Sequence, residues 1–247
     1  MFSRNLLKCI KIFLDVNGKS QKECVFLETG LDEGITVSQI LTNFNFKKII
    51  SVEIDKIKID KAKLRFKDYS KIIFVQGDSA EKIEEIYDQS INVIFLDAHG
   101  RYPGYDLTKI FPLEKELKFL IDKINEDQLV IIDDFIKIRN SHLYNDKLDW
   151  RSYFKYKDLN QLLEKKGLKS LEIFYDNGEN SYLLLTNNKN FKIDIRLFLI
   201  NLFFKFKSIK FYLFYYIRPL IRYLKKIIIF LTSESFFLKI KKKFKKK

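Results

Sequence analysis

The sequence predicts an α/β protein: a mostly parallel sheet covered by helices on both faces, closed by an antiparallel hairpin and followed by a basic helical tail. Three observations predict it. Short apolar runs rich in Ile, Val and Phe alternate with longer segments of helical spacing. Two later runs, KSLEIFY and SYLLLT, flank the turn-forming DNGEN, which reads as two strands joined tightly. The net charge of +14 is not spread along the chain. Residues 191–247 hold 16 Lys and Arg against 2 Asp and Glu, whereas the first 190 residues hold 30 of each. A neutral globular domain over 1–188 and a basic, apolar tail over 189–247 therefore need separate explanations. With 247 residues and 47% hydrophobic content, the chain has material for one sizeable core and an appendage.

The elements follow in order. MFSRNLLKCIKIFLD opens the chain, and Arg4, Lys8 and Lys11 interrupt any apolar stretch long enough for a signal peptide. Leu6, Leu7, Ile10, Phe13 and Leu14 recur at helical spacing, so a short amphipathic helix lies on the core. Cys9 and Cys24 match no metal-ligand spacing, which points to a reduced, cytosolic compartment. Strands are predicted at 25–28, 49–54, 71–76, 91–97 and 128–134, with helices near 35–44, 56–67, 79–88 and 112–124. The strands are almost continuously apolar, as strands buried on both faces of a parallel sheet must be. DLNQLLEKKG, residues 158–167, reads as a helix closed by Gly167.

Open α/β sheets bind ligands at the carboxyl ends of their strands, and here most strands end in an acid. The first loop is ETGLDEG. Gly30 permits a sharp turn, and Gly34 lets a ligand or the sheet approach the next helix closely. Glu28, Asp32 and Glu33 would repel a pyrophosphate but suit a ligand with a positive end, a sulfonium or an ammonium group. Glu53 ends the second strand where an acid can accept both hydroxyls of a ribose, or it is a solvated strand end. Asp78 follows the third strand, placed to accept an adenine amino hydrogen. Asp78 or Ser79 is also a good N-cap for AEKIEEIY, and both roles are met if Ser79 caps while Asp78 binds. Asp97 ends the fourth strand, with His99 two residues on as a candidate general base or a loop hydrogen-bonder. His142, in a polar stretch, takes no role. Asp133 and Asp134 end the fifth strand. With Asp97 they could hold a hard divalent cation with waters, or orient a substrate hydroxyl directly.

Taken together, ETG…G, SVEID, QGDS, FLDAHG, PLEKEL and VIIDDF resemble the class I S-adenosylmethionine-dependent methyltransferases, in a variant with ETG…G, GDS, LDAH, P-L-x-x-E-L and IDD motifs. The resemblance covers residues 23–140, and the hairpin at 170–186 suits the fold's last two strands. It implies a seven-stranded, doubly wound sheet in the order 3-2-1-4-5-7-6 with the seventh strand antiparallel. It also implies S-adenosylmethionine as cofactor, with Glu28, Gly30 and Gly34 along its methionine end, Glu53 on the ribose and Asp78, beside Ser79, on the adenine. Asp97 falls within the same site. In related metal-dependent O-methyltransferases, acids after strands four and five hold magnesium; the matching positions are Asp97, Asp133 and Asp134. The chain departs from the family in lacking a fuller G-x-G-x-G and in carrying Ile35 where a small polar residue is common.

In the tail, no uncharged apolar run approaches the ~20 residues of a spanning helix. Asn201, Lys205 and Ser208 share one helical stripe, and Arg218, Arg222 and Lys225 another, on surfaces otherwise Leu, Ile, Phe and Tyr. Such helices fit a membrane interface, and KIKKKFKKK adds attraction to anionic lipid. The expectation is a cytoplasmic enzyme held peripherally at the membrane by residues 191–247, methylating a hydroxyl of a sugar, a glycan or a lipid-linked acceptor, with His99 as base. Packing of the tail on the domain or on a second subunit is the plainer reading. The stretch 141–157, with the only Trp, would overhang the crevice as an acceptor lid or pack beneath the hairpin. An RNA methyltransferase with a nucleic-acid arm is a rival, and so is a non-catalytic membrane protein on this fold. A nicotinamide-dependent reductase ranks last, because acids crowd the place of its pyrophosphate.

Overall fold

A computed structural model describes residues 2–99, 112–140, 156–166, 168, 170–176 and 180–192. The candidate lid at 141–155, Gly167 and the tail from 193 onward lie outside these residues. Seven strands form one sheet in the order β3-β2-β1-β4-β5-β7-β6. They are β1 (Val25–Thr29), β2 (Lys48–Glu53), β3 (Ile72–Gln76), β4 (Ile91–Leu96), β5 (Leu129–Ile132), β6 (Ser170–Phe174) and β7 (Ser181–Leu185). The first five pair in parallel, and β7 runs antiparallel to both β5 and β6. The expected order and the terminal hairpin are both present. The chain reverses its direction of travel across the sheet between β1 and β4, and there the strand ends open a crevice.

Alternate residues of each strand feed two cores. Phe26, Ile49, Val93, Phe95, Ile131 and Leu184 point to one face. That face is covered by α1 (Arg4–Val16) and α2 (Ile35–Asn43). The α1 residues Leu6, Ile10, Phe13 and Leu14 are buried against it, whereas Leu7 is only partly so. The helix starts where Ser3 Oγ accepts a hydrogen bond from Leu6 N at 3.2 Å. Leu27, Ile50, Val52, Ile94, Leu96, Val130 and Ile132 point to the other face. It is covered by α4 (Ser79–Ile86), α5 (Leu113–Ile121) and α7 (Tyr156–Lys165). A third cluster, with Leu31, Val37, Ile59, Ala62 and Phe66, seats α3 (Lys56–Arg65) beside the β3 edge. A five-residue helix that the periodicity did not predict, α6 (Phe135–Arg139), follows β5, and a short α8 (Lys189–Lys192) follows β7. Cys9 and Cys24 are free and buried.

Candidate active site

The crevice floor is the first loop. Gly30 turns with φ +85°, and its N–H donates to Val52 O at 2.9 Å. A Cβ there would lie 2.5 Å from the carbonyl oxygen of Asp97, so only glycine lets β1 close against the end of β4. At Gly34, with φ +67°, the neighbour is the Phe66 ring, 2.9 Å from an added Cβ. Of the two readings the sequence allowed for Gly34, the structure shows close packing with the fold, from α3 rather than from the sheet.

Glu53 ties this loop down. Its Oε2 accepts from Asp32 N at 3.0 Å and its Oε1 from Asp55 N at 2.9 Å. It is buried, not a solvated strand end. Each carboxylate oxygen keeps a lone pair beyond these two bonds. Glu28 lies deeper, fully buried, with Oε1 accepting from Ser51 Oγ at 2.6 Å and Oε2 without a hydrogen-bond partner. Burial pushes its pKa up to about 8, opposed by the Ser51 hydrogen bond and reinforced by the Glu53 charge. Asp32 and Glu33 do not join it. Both are exposed, and Asp32 pairs with Lys58 at 2.5 Å on the outer surface. Three acids therefore do not converge at this loop; one buried carboxylate with an unmatched oxygen does.

The capping assignment after β3 is reversed from expectation. Asp78 is the N-cap of α4, its Oδ1 accepting from Ala80 N at 2.9 Å. Ser79 is the first helical residue, and its Oγ is buried without a hydrogen bond. It lies near a group the sequence reading quoted, as the Glu of P-L-x-x-E-L, without assigning it a role. Glu116 on α5 is fully buried, and the hydroxyls of Ser79 and Thr29 lie close enough to lower its pKa, though neither bonds it in standard geometry. Burial prevails and raises it to about 7. The available signal was an acid at helical spacing among Leu113, Leu117 and Leu120, on the face α5 had to bury.

The acids after β4 and β5 form an electrostatic cluster. Asp97 N donates to Thr29 O at 3.1 Å and Asp133 N to Leu96 O at 3.1 Å, so both residues extend the sheet. Burial, then the charges of Asp133 and Asp134, hold Asp97 well above the usual carboxylate range. Asp133 is raised to about 6, by burial and then by Asp134. Its Oδ1 accepts from Asp134 N at 2.7 Å and from the hydroxyl of Tyr175. Asp134 sits in the left-handed region, φ +52°, with one oxygen taking Lys137 Nζ at 2.6 Å and the other Asn180 Nδ2. Burial also raises the Tyr175 hydroxyl's pKa, followed by the Asp133 charge, and its ring stacks on Tyr182 at 4.5 Å. The sequence reading missed Tyr175, Asn180 and Lys137. For Tyr175 and Asn180 the signal was that a hairpin antiparallel to β5 must bring its turn to the carboxyl end of that strand; Lys137 is simply three residues beyond Asp134, on α6.

Two expectations change here. Among the described residues, no three His, Cys, Asp or Glu side chains are grouped so that they could hold a metal ion. Asp133 and Asp134 already direct oxygens at Tyr175, Lys137 and Asn180, and their charges raise the proton affinity of Asp97 without the three forming a ligand set. The magnesium expectation finds no support. His99 is brought to the cluster but is buried, which drives its pKa down to about 4 against the opposing charge of Asp134. An imidazole with so little proton affinity is a poor base near neutrality, whereas Asp97 beside it has gained affinity.

No family sequence model matches the chain, and no curated protein does. Solved structures do. A candidate caffeoyl-CoA O-methyltransferase from Staphylococcus aureus superposes with TM-score 0.52 at 16% identity, covering 76% of this chain and 85% of its own. An rRNA methylase from Streptococcus thermophilus gives 0.51 at 14%, covering 75% and 98%. A candidate methyltransferase from Streptococcus mutans, solved with S-adenosylhomocysteine, gives 0.51 at 10%, also covering 75% and 98%. At such identities the likeness is one of fold. The chain has the class I methyltransferase fold.

Proposed function

We propose that this chain is an S-adenosylmethionine-dependent methyltransferase acting on oxygen, with a sugar hydroxyl of a glycan or lipid-linked acceptor as substrate, at a membrane surface. The observation that carries the cofactor is Glu28: a buried carboxylate oxygen without a partner, at a crevice whose glycine loop is fixed by Glu53. An unmatched buried carboxylate oxygen suits a cationic N–H or sulfonium neighbour and repels a phosphate. Glu53, at the end of β2, would accept from the ribose hydroxyls and Asp78, after β3, from the adenine amino group. When bound, S-adenosylmethionine would supply a sulfonium methyl electrophilic enough to be transferred to an acceptor hydroxyl held at this crevice. Asp97 then takes the hydroxyl proton, with the neighbouring charges of Asp133 and Asp134 favouring that proton's capture. Tyr175 and Asn180 hold those two acids in place.

The membrane setting rests on residues 191–247, whose charge and aromatic content suit an anionic interface. Among the described residues, no helix is long and apolar enough to cross a membrane.

Calorimetric titration of the full chain with S-adenosylhomocysteine tests the cofactor. Binding in the micromolar range, weakened by Glu53→Gln, is expected; a folded chain that binds nothing ends the proposal. Incubating membranes, soluble glycans and RNA with the enzyme and tritiated methyl donor tests the acceptor. Label extracted with lipid or glycan is expected, and label in RNA would replace this acceptor class with the rival one.

A further inference from the structure

Among the described residues, the exposed large hydrophobic side chains are Ile35, Ile54, Ile57, Leu64, Tyr69 and Ile73. Single exposed apolar residues are ordinary on any protein surface, but their concentration is not. Five fall within residues 54–73, on α3, on the edge strand β3 and on the short segments before each. The sixth begins α2, which Arg65 of α3 ties down by donating to Glu33 O at 2.6 Å and to Ser38 Oγ at 3.0 Å.

Helix geometry orders the patch. At ~100° per residue, Ile59, Ala62 and Phe66 face inward, and all three are buried. Ile57, Lys61 and Leu64 then fall on the opposite stripe, facing away from the protein; Ile57 is 65% exposed and Leu64 75%. Lys56, Lys63 and Lys67 flank that stripe on one side, where Asp60 pairs with Lys56 at 2.7 Å, and Lys58 and Arg65 flank it on the other, where Lys58 pairs with Asp32 at 2.5 Å. Residues 54–73 hold seven basic and three acidic residues within a domain that is otherwise balanced. An outward apolar stripe edged by cations is the pattern of a helix lying in a lipid interface, with side chains in the acyl boundary and ammonium groups at the phosphates.

We infer that the α3–β3 edge is a lipid-contact surface of the folded domain, taking an anionic bilayer through Ile57 and Leu64 with Lys56, Lys61, Lys63 and Lys67 at the headgroups. The tail is not its occupant: both are basic, so they repel each other and are attracted to the same anionic plane. Ile54 directly follows Glu53 and Ile57 lies four residues on, so this contact would bring the carboxyl end of β2 near the membrane, where a lipid-linked acceptor would be presented. The inference extends the membrane-surface reading to a second part of the chain, and its test separates the two.

The full chain is mixed with vesicles of phosphatidylcholine containing phosphatidylglycerol, and with vesicles of phosphatidylcholine alone. Ile57→Ser with Leu64→Ser is expected to weaken partitioning to the anionic vesicles by about tenfold while thermal stability is kept, since both side chains are exposed. Lys241→Glu, Lys242→Glu and Lys243→Glu together report the tail independently. Loss in the tail variant with less than about twofold change in the α3 variant would overturn this inference and leave the tail reading standing. A polarity-sensitive dye on Leu64→Cys should shift to the blue on anionic vesicles, and one on Lys165→Cys of α7 should not; the native thiols are both buried. Equal shifts would overturn it. So would RNA binding that Lys63→Glu and Lys67→Glu abolish in a chain indifferent to vesicles, or a dimer in sedimentation that Leu64→Ser dissolves.

Discussion

At the β1–β2–β3 side of the crevice, acids accept from the backbone: Glu53 from two N–H groups of the adjoining turns, and Asp78 from the first turn of its own helix. At the β4–β5–β7 side, acids meet other side chains and one another. Asp133 meets Tyr175, Asp134 meets Asn180 and Lys137, and Asp97 lies in the field of both. The first side is fixed at short range and holds its shape without a ligand. The second stores proton affinity, because like charges buried together can lower their energy only by binding protons or cations. Under the proposed function, the first side would seat the cofactor and the second would take the hydroxyl proton.

The largest expected effect strikes the seam between the two sides. Gly30→Ala places a methyl 2.5 Å from the Asp97 carbonyl at φ +85°, where backbone must move. A loss of about 4 kcal/mol is expected in chemical denaturation. Gly34→Ala meets a movable ring instead and should cost about 1–2 kcal/mol. Equal losses would mean that the seam is softer than its geometry.

A second effect lies beneath the cofactor side. The folded-state pKa of Glu116 is raised from the model-compound 4.5 to about 7, so the native state binds the extra proton. Its contribution is fully present below pH ~4.5 and is lost as pH rises through about 7, a fall of about 3 kcal/mol. Glu116→Gln should flatten stability across that window. Glu28, raised to about 8, adds a slope extending higher, which the variant leaves intact.

On the proton-accepting side, Asp97→Asn should lower methyl transfer about a hundredfold with little change in S-adenosylhomocysteine affinity. His99→Gln should lower it less than about tenfold, because an imidazole held near 4 is already neutral and weakly basic. If the order is reversed, the cluster serves only to orient, and His99 is the base.

How much of this was legible follows the same division. The strands, the hairpin and the glycine loop are local patterns of periodicity and turn chemistry, whereas the sheet order was legible only through the family resemblance. The placement of Glu53 followed from its distance to that loop. The partners of Asp133 and Asp134 lie 42 and 46 residues away, across an antiparallel return, and no local pattern carries such a pairing. The cap after β3 was misassigned because Asp and Ser are equally good caps, and only the chain's path chose Asp78. The acidity of the first loop was read as one cluster because sequence gives no direction. Alternation along β1 puts Glu28 inward, and the positive φ of Asp32 turns its side chain out.

That last point yields the smallest effect and the sharpest discrimination. If the whole loop's acidity selected a positive ligand, neutralising Asp32 and Glu33 would reduce preference for S-adenosylmethionine over its uncharged-sulfur product. Asp32 is 70% exposed and its pairing with Lys58 is screened, so the expected change in that preference for Asp32→Asn with Glu33→Gln is twofold or less by roughly the Debye argument. Stability should stay within about 0.5 kcal/mol, since an exposed ion pair contributes little and Asn tolerates φ +46°. Glu28→Gln should reduce the preference by more above pH ~8, where the buried carboxyl, unmatched at one oxygen, is ionised in low dielectric. Parallel titrations with the two ligands would show which acid reads the charge. A larger loss from the exposed pair than from Glu28 would return the selectivity to the loop as a whole.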